Sequence, residues 1–256
     1  NATGRMRVMR QVRGYDKAMS QGHIFWNVVP DLCGLELDVV SGSLDNIPKT
    51  GPVVLLSNHP YGILDGLMLG QILSKTRDDF KILAHRVFAK AADLDEVILP
   101  ISFDETREAM ALNLNTRKDA LNYLGQGGAV GIFPGGSVSS PRKVFGRPMD
   151  PQWRTFSAKM IAKSGATVVP IFFDGYNSRR FHMFGRVNKT LRTALLINEF
   201  KKRLNAPVRV AIGDALDNDA LDAYIKDPRA MMDFLRTSTY DLSSNKINHT
   251  EYGFDF

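Results

Sequence analysis

The stretch Pro52-Val53-Val54-Leu55-Leu56-Ser57-Asn58-His59-Pro60-Tyr61-Gly62-Ile63-Leu64-Asp65-Gly66 decides how the rest of the chain is read. Its apolar first half, preceded by turn signals at Asn46, Pro48 and Gly51, has the length and bounds of a short buried strand. Asn58-His59-Pro60 ends that strand, and a helical pattern resumes near Asp65 and runs to about Lys75. A strand that passes through a polar turn into a helix is the repeating unit of an α/β fold, and ligands gather at the carboxyl ends of such strands. A histidine at that turn can take a proton from a hydroxyl, provided a carboxylate holds its other ring nitrogen. Asp65 is the available carboxylate for His59. On a continuous helix, positions six apart would diverge by about 120°, so Pro60 and Gly62 must bend the segment for the two to meet.

The same alternation continues outward. Phe80 to Ala84 and Val97 to Ile101 read as strands, and Thr106 to Leu124 as a helix ended by Gly125 and Gly127. Ala129 to Phe133 reads as a strand running into Pro134-Gly135-Gly136-Ser137, Trp153 to Ser164 as a helix, and Thr167 to Phe173 as a further apolar strand. We therefore expect an α/β fold: a single domain with a central mixed sheet surrounded by helices, plus an N-terminal amphipathic helical segment. A chain of 256 residues, 44% of them hydrophobic, is long enough to bury a full core as one unit.

The one boundary we expect follows Ile47, separating a membrane-associating segment (1–47) from a catalytic domain (48–256). Arg5, Arg7, Arg10, Arg13 and Lys17 alternate with Met6, Val8, Met9 and Val12, and His23-Ile24-Phe25-Trp26-Asn27-Val28-Val29 follows. This composition suits an interfacial helix with Trp26 near headgroup level; a solvated arm packed on the domain is the plainer alternative. A second basic stretch, residues 179–203, is a further candidate membrane or carrier-protein surface. No run among these residues reaches the length of a spanning helix, and residues 1–47 do not carry the apolar core expected of a secretory signal.

Net charge is +6, which favours an anionic partner. The aromatic-and-glycine strand motifs of RNA-recognition modules are missing, so a nucleic-acid partner is not expected. The single cysteine, Cys33, cannot form an internal disulfide, and no Cys/His spacing suggests a metal site.

Three blocks resemble one family. Asn58-His59 through Asp65 looks like the first signature of the glycerolipid acyltransferases, the superfamily that includes lysophosphatidate acyltransferase. Gly131-Ile132-Phe133-Pro134-Gly135-Gly136-Ser137 resembles its third, and Val168-Val169-Pro170-Ile171 its fourth. The resemblance implies His59 as general base, Asp65 as its partner, and Asn58, Tyr61, Gly62, Phe133, Pro134, Gly135, Gly136 and Ser137 around the substrates. It also implies a thioester of coenzyme A or acyl carrier protein as donor, with no other cofactor.

Departures from the pattern bear on the acceptor. Five residues separate His59 from Asp65 where the family has four. Gly135 and Val138 stand where its third block has glutamate and arginine. Around Leu99-Pro100-Ile101-Ser102-Phe103-Asp104 no arginine is in register, Arg107 being only nearby. Guanidinium groups fork two hydrogen bonds to a phosphate, so their loss argues against a phosphomonoester acceptor. The pattern resembles the bacterial branch that acylates lyso-aminolipids of the ornithine, glutamine or sulfur-containing type. The expectation is an O-acyltransferase, peripheral on the cytoplasmic face of the inner membrane and acting at an anionic surface; a lysophosphatidate acyltransferase making phosphatidate is the alternative. A serine hydrolase using Ser137, Asp174 and His182 is the rival outside this family.

Overall fold

The computed structural model describes residues 12–143, 145–185, 189–216 and 218–255. Its strands are β1 (Glu36–Ser41), β2 (Val53–Ser57), β3 (Phe80–His85), β4 (Ile98–Ile101), β5 (Ala129–Ile132), β6 (Ser140–Pro141), β7 (Pro148–Met149), β8 (Thr167–Phe173) and β9 (Pro207–Ile212). Seven of them form one sheet in the order β1-β9-β8-β2-β5-β3-β4, while β6 and β7 pair separately as an antiparallel hairpin. All neighbours in the large sheet are parallel except β8 and β9, so β9 and β1 run against the other five. The sheet is mixed, as expected.

Helices α1 (Tyr15–Ser20), α2 (Phe25–Leu32), α3 (Ile63–Thr76), α4 (Arg107–Gly125), α5 (Phe156–Ser164), α6 (Arg179–Gly185), α7 (Lys189–Lys202), α8 (Asn218–Asp222) and α9 (Pro228–Tyr240), with short 3-10 helices at Leu44–Asn46 and Phe88–Lys90, complete the described elements. Their ends follow local chemistry. The Thr106 hydroxyl accepts the Ala109 N–H at the start of α4, and Asp227 accepts two N–H groups ahead of Pro228 in α9. Gly165 ends α5 in the left-handed region, at φ 60°.

Every residue of β2 is buried, because β2 lies between β8 and β5 and is covered on both faces. Val53 and Leu55 join the core under α3, with Met68, Leu69 and Ile72. Val54 and Leu56 join the opposite core, with Trp153, Ala158 and Met160, and with Met232 and Leu235 of α9. Each buried valine or leucine side chain contributes roughly 1.5–3 kcal/mol. At the amino ends of the strands the buried Arg77 guanidinium donates to the carbonyls of Pro48, Gly51 and Gly127 and forks onto Asp79. The loops entering β2 and β5 are thereby tied together, leaving the carboxyl ends to form the site.

Two features depart from the sequence reading. The polar edge strand β1 pairs with β9 in the main sheet, and Trp26 is 6% exposed, packed among core residues rather than at a membrane headgroup level. Residues 25–46 therefore fold with the rest, on the near side of the boundary expected after Ile47. Gly70 of α3 makes room for the indole: a Cβ there would lie 2.0 Å from Trp26 Cε3. Of the expected N-terminal basic helix, residues 1–11 lie outside the described residues.

Gly70→Ala is expected to overpack this contact and cost about 1–3 kcal/mol, lowering the melting midpoint followed by circular dichroism. Combining it with Trp26→Phe should recover part of the loss; an unchanged midpoint in the single variant would show that α2 shifts without cost.

Candidate active site

The three central strands β8, β2 and β5 are parallel neighbours, so their carboxyl ends meet at one edge of the sheet. There the buried Asn58 amide closes two hydrogen bonds with the backbone of Phe173, donating to its carbonyl at 2.9 Å and accepting its N–H at 2.7 Å. On the other side the His59 N–H donates to Asp150 Oδ1 at 3.1 Å, and the His59 carbonyl accepts the Ser139 N–H at 2.8 Å. The turn that carries His59 is thus tied to the end of β8 on one side and to the residues flanking the β6–β7 hairpin on the other.

Gly62, at φ 85° and ψ −110°, turns the chain into α3 and brings Asp65 into the helix's first turn. Asp65 Oδ2 lies 3.0 Å from His59 Nδ1 and accepts the N–H groups of Tyr61 at 2.7 Å and Gly62 at 2.8 Å. The bend expected at Pro60 and Gly62 is present, and the five-residue spacing allows contact. The Nδ1–Oδ2 approach is close but not well aligned for a hydrogen bond, a common state for such a pair without substrate. Complete burial raises the Asp65 carboxyl above the ordinary carboxylate range, against the lowering effects of His59 and the two backbone N–H groups. The His59 ring stacks on Phe133 with centroids 4.2 Å apart. With the side chain 18% exposed and no protein hydrogen bond at Nε2, that nitrogen is open to accept a proton.

The remaining expected residues divide into two groups. Pro134 and Gly135 form the turn closed by the Gly136 N–H on the Phe133 carbonyl at 3.0 Å, with Gly136 at φ 70°. The buried Ser137 Oγ that follows has no hydrogen-bond partner. Asn58 and Tyr61, by contrast, have their polar atoms engaged by protein: the Tyr61 hydroxyl donates to the Asp174 carbonyl at 2.8 Å, and the Arg203 guanidinium lies over its ring. Burial pushes the Tyr61 hydroxyl up to about 12. These two shape the site rather than offer it donors. The hydrolase triad is not assembled, since Ser137 Oγ is unbonded and Asp174 pairs with Arg209 at 2.9 Å.

Asp150, absent from the sequence expectations, anchors the loop. Fully buried, it accepts from the His59 N–H, the Ser139 hydroxyl and the Trp153 indole N–H, while its own N–H donates to the Tyr240 hydroxyl. The signal available was Asp150-Pro151-Gln152-Trp153, a carboxylate three residues before a tryptophan, which says nothing about a histidine far away in the chain. Arg192, read as part of a basic surface, is largely buried; it donates to the Val138 carbonyl and the Ser140 hydroxyl and lies over Phe181. Burial brings its guanidinium down to about 10.

Asp150→Ala leaves three buried donors without acceptors, and at about 1–3 kcal/mol each is expected to lower the denaturation midpoint strongly. Asp150→Asn, which keeps one acceptor oxygen, should lose less. Equal midpoints for wild type and Asp150→Ala in a chemical denaturation series would remove Asp150 as the anchor.

The model of the acyltransferase family matches residues 39–174. Two relatives, each named lyso-glycine lipid O-acyltransferase, come from Phocaeicola vulgatus and Bacteroides thetaiotaomicron. Both are 26% identical to this chain, over 220 and 223 residues, covering 81% of it and 74% and 76% of their own lengths. The crystal structure of the 1-acyl-sn-glycerophosphate (LPA) acyltransferase PlsC from Thermotoga maritima superimposes with a TM-score of 0.51 over 88% of this chain and 79% of its own. At 15% identity that likeness is one of fold. The matched region holds β2, the His59–Asp65 turn, the glycine turn and β8, and by that match over more than half of its length the chain belongs to the acyltransferase family, as an enzyme that transfers acyl groups.

Proposed function

We propose that this enzyme transfers a fatty acyl group from a thioester to the hydroxyl of a lyso-lipid, with His59 as general base. The observation that carries the reading is the His59 imidazole itself: Nδ1 sits against buried Asp65 while Nε2 has no protein partner. A carboxylate so placed keeps the proton on Nδ1 and leaves the Nε2 lone pair to take one from an alcohol.

His59 removes the proton as the acceptor oxygen attacks the thioester carbonyl, and Asp65 stabilises the resulting imidazolium. The tetrahedral oxyanion meets donors from the turn at Gly135 and Ser137, including the unpartnered Ser137 hydroxyl. Collapse breaks the carbon–sulfur bond, the imidazolium returns its proton to the departing thiolate, and an ester and a free thiol result.

For the acceptor we favour a lyso-aminolipid, an amino acid already carrying a 3-hydroxy fatty amide. Two observations support this: both relatives are named for a lyso-glycine lipid, and the family's phosphate-recognising arginines are replaced by Val138 and by residues 99–104, none of which is basic. The donor would be an acyl carrier protein or coenzyme A thioester. Among the described residues no helix is long and apolar enough to cross a membrane. We place the enzyme at the cytoplasmic face of the inner membrane, held through the basic residues of the sequence before α1 and the exposed basic residues of the 179–203 stretch.

The test offers acyl carrier protein and coenzyme A thioesters with an N-(3-hydroxyacyl)glycine and with lysophosphatidate, following esters by mass spectrometry. Transfer to the aminolipid is expected. His59→Ala should reduce turnover by about 10²–10⁴-fold, and Asp65→Asn should also slow it while leaving acceptor binding in place. Undiminished transfer by His59→Ala would rule out this base; transfer to lysophosphatidate alone would identify a phosphatidate-forming enzyme instead.

A further inference from the structure

Beside the catalytic turn lies a concavity of about 520 Å³, bounded by the β6–β7 hairpin, the loop after β8, α6 and residues 245–246. Arg147, Arg179 and Lys246 line it. Among the described residues none of these three side chains makes a hydrogen bond or ion pair with the protein. The acidic lining residue, Asp174, is neutralised by Arg209 at 2.9 Å. The concavity therefore presents net positive charge without an internal counter-charge, which suits an anionic oxyacid group. Asn177 and His182, both buried, also line it, and exposed Phe145 (80%) and Tyr176 (51%) stand at its edge as apolar surface.

The lining is bonded to the catalytic turn from two sides. Asn177 Nδ2 donates to the Tyr61 carbonyl, and the Asp174 carbonyl accepts the Tyr61 hydroxyl. Pro141 lies two residues beyond Ser139, whose N–H is held by the His59 carbonyl. Loops from the carboxyl ends of β8 and β5 thus build the concavity on the strand edge from which β2 presents His59. From this juxtaposition we propose that Arg147, Arg179 and Lys246 form the subsite for the acceptor's anionic head group, with its fatty chain passing over Phe145 and Tyr176. An N-acylated amino acid carries a free carboxylate a few bonds from its amide, and two arginines and a lysine offer the forked and point-charge donors that bind one. The assignment deepens the proposed function and rests on it for the identity of the ligand. The phosphates of the donor are the other source of such a group, and the experiment separates them.

Isothermal titration calorimetry with N-(3-hydroxyoctanoyl)glycine, its methyl ester and coenzyme A is carried out on the wild type, Arg147→Gln, Arg179→Gln and the double variant. Circular dichroism confirms that these exposed substitutions leave the fold intact. The wild type is expected to bind the carboxylate at least about tenfold more tightly than the ester. The double variant should lose that preference, its acceptor KM rising by the same factor with kcat and donor KM little changed. Equal binding of acid and ester, or a preference that survives in the double variant, would overturn the subsite. So would weakened coenzyme A binding with the lipid unaffected. Selective binding without any acyl transfer would keep the subsite and remove the proposed function; transfer without selective binding would do the reverse.

Discussion

A carboxylate with no exposure to water must be met by donors, and the structure around His59 is organised by that requirement at Asp65. Desolvation of a charged group costs several kcal/mol unless hydrogen bonds and opposite charge offset it. Asp65 Oδ2 meets this with two backbone N–H groups and the adjacent imidazole, all offered by the four residues immediately before α3, while the buried Oδ1 has no hydrogen-bond partner. Satisfying Oδ2 and aiming the histidine are therefore one geometric condition. The positive φ of Gly62 follows from it, because the N–H groups of Tyr61 and Gly62 must both face the same oxygen. A side chain at Gly62 would also press on Leu196 and Val138.

Around this centre lies a second buried carboxylate, Asp150, which holds the backbone of His59 rather than its ring. Asp65 sets the direction of the imidazole and Asp150 the height of its main chain, while Asn58 fixes both relative to β8. Phe133 closes the remaining freedom by stacking on the ring. Two side chains from beside it in the sequence, Asn58 and Asp65, and two from far along the chain, Phe133 and Asp150, fix this one residue, which is how a turn of prolines and glycines becomes a defined platform.

What could be read in advance follows from where each residue's partners lie. β2, β5 and β8 were legible because strands covered on both faces are continuous apolar runs bounded by turns. β1 and β9 were not: Glu36–Ser41 is a half-exposed edge strand, and Pro207–Ile212 mixes Arg209 into its pattern. Trp26 misled because its basic and apolar neighbours suit a membrane interface, whereas the cavity that receives it is made by a missing side chain at Gly70. His59 and Asp65 could be paired because they are near in sequence and resemble a family motif. Asp150 acts on His59 from 91 residues away, a relation that no local pattern carries.

The chain has two tryptophans, and the fold places one on each side of the sheet: Trp26 against Gly70 of α3 in one core, Trp153 on the buried carboxylate in the other. Each apolar layer therefore contains its own intrinsic fluorophore, and their environments differ, one indole packed on bare helix backbone and the other donating to an anion. Emission from this protein is a sum over two structural layers, so the unfolding of the helix layer over α3 and that of the layer carrying the His59 anchor can be told apart optically without a label.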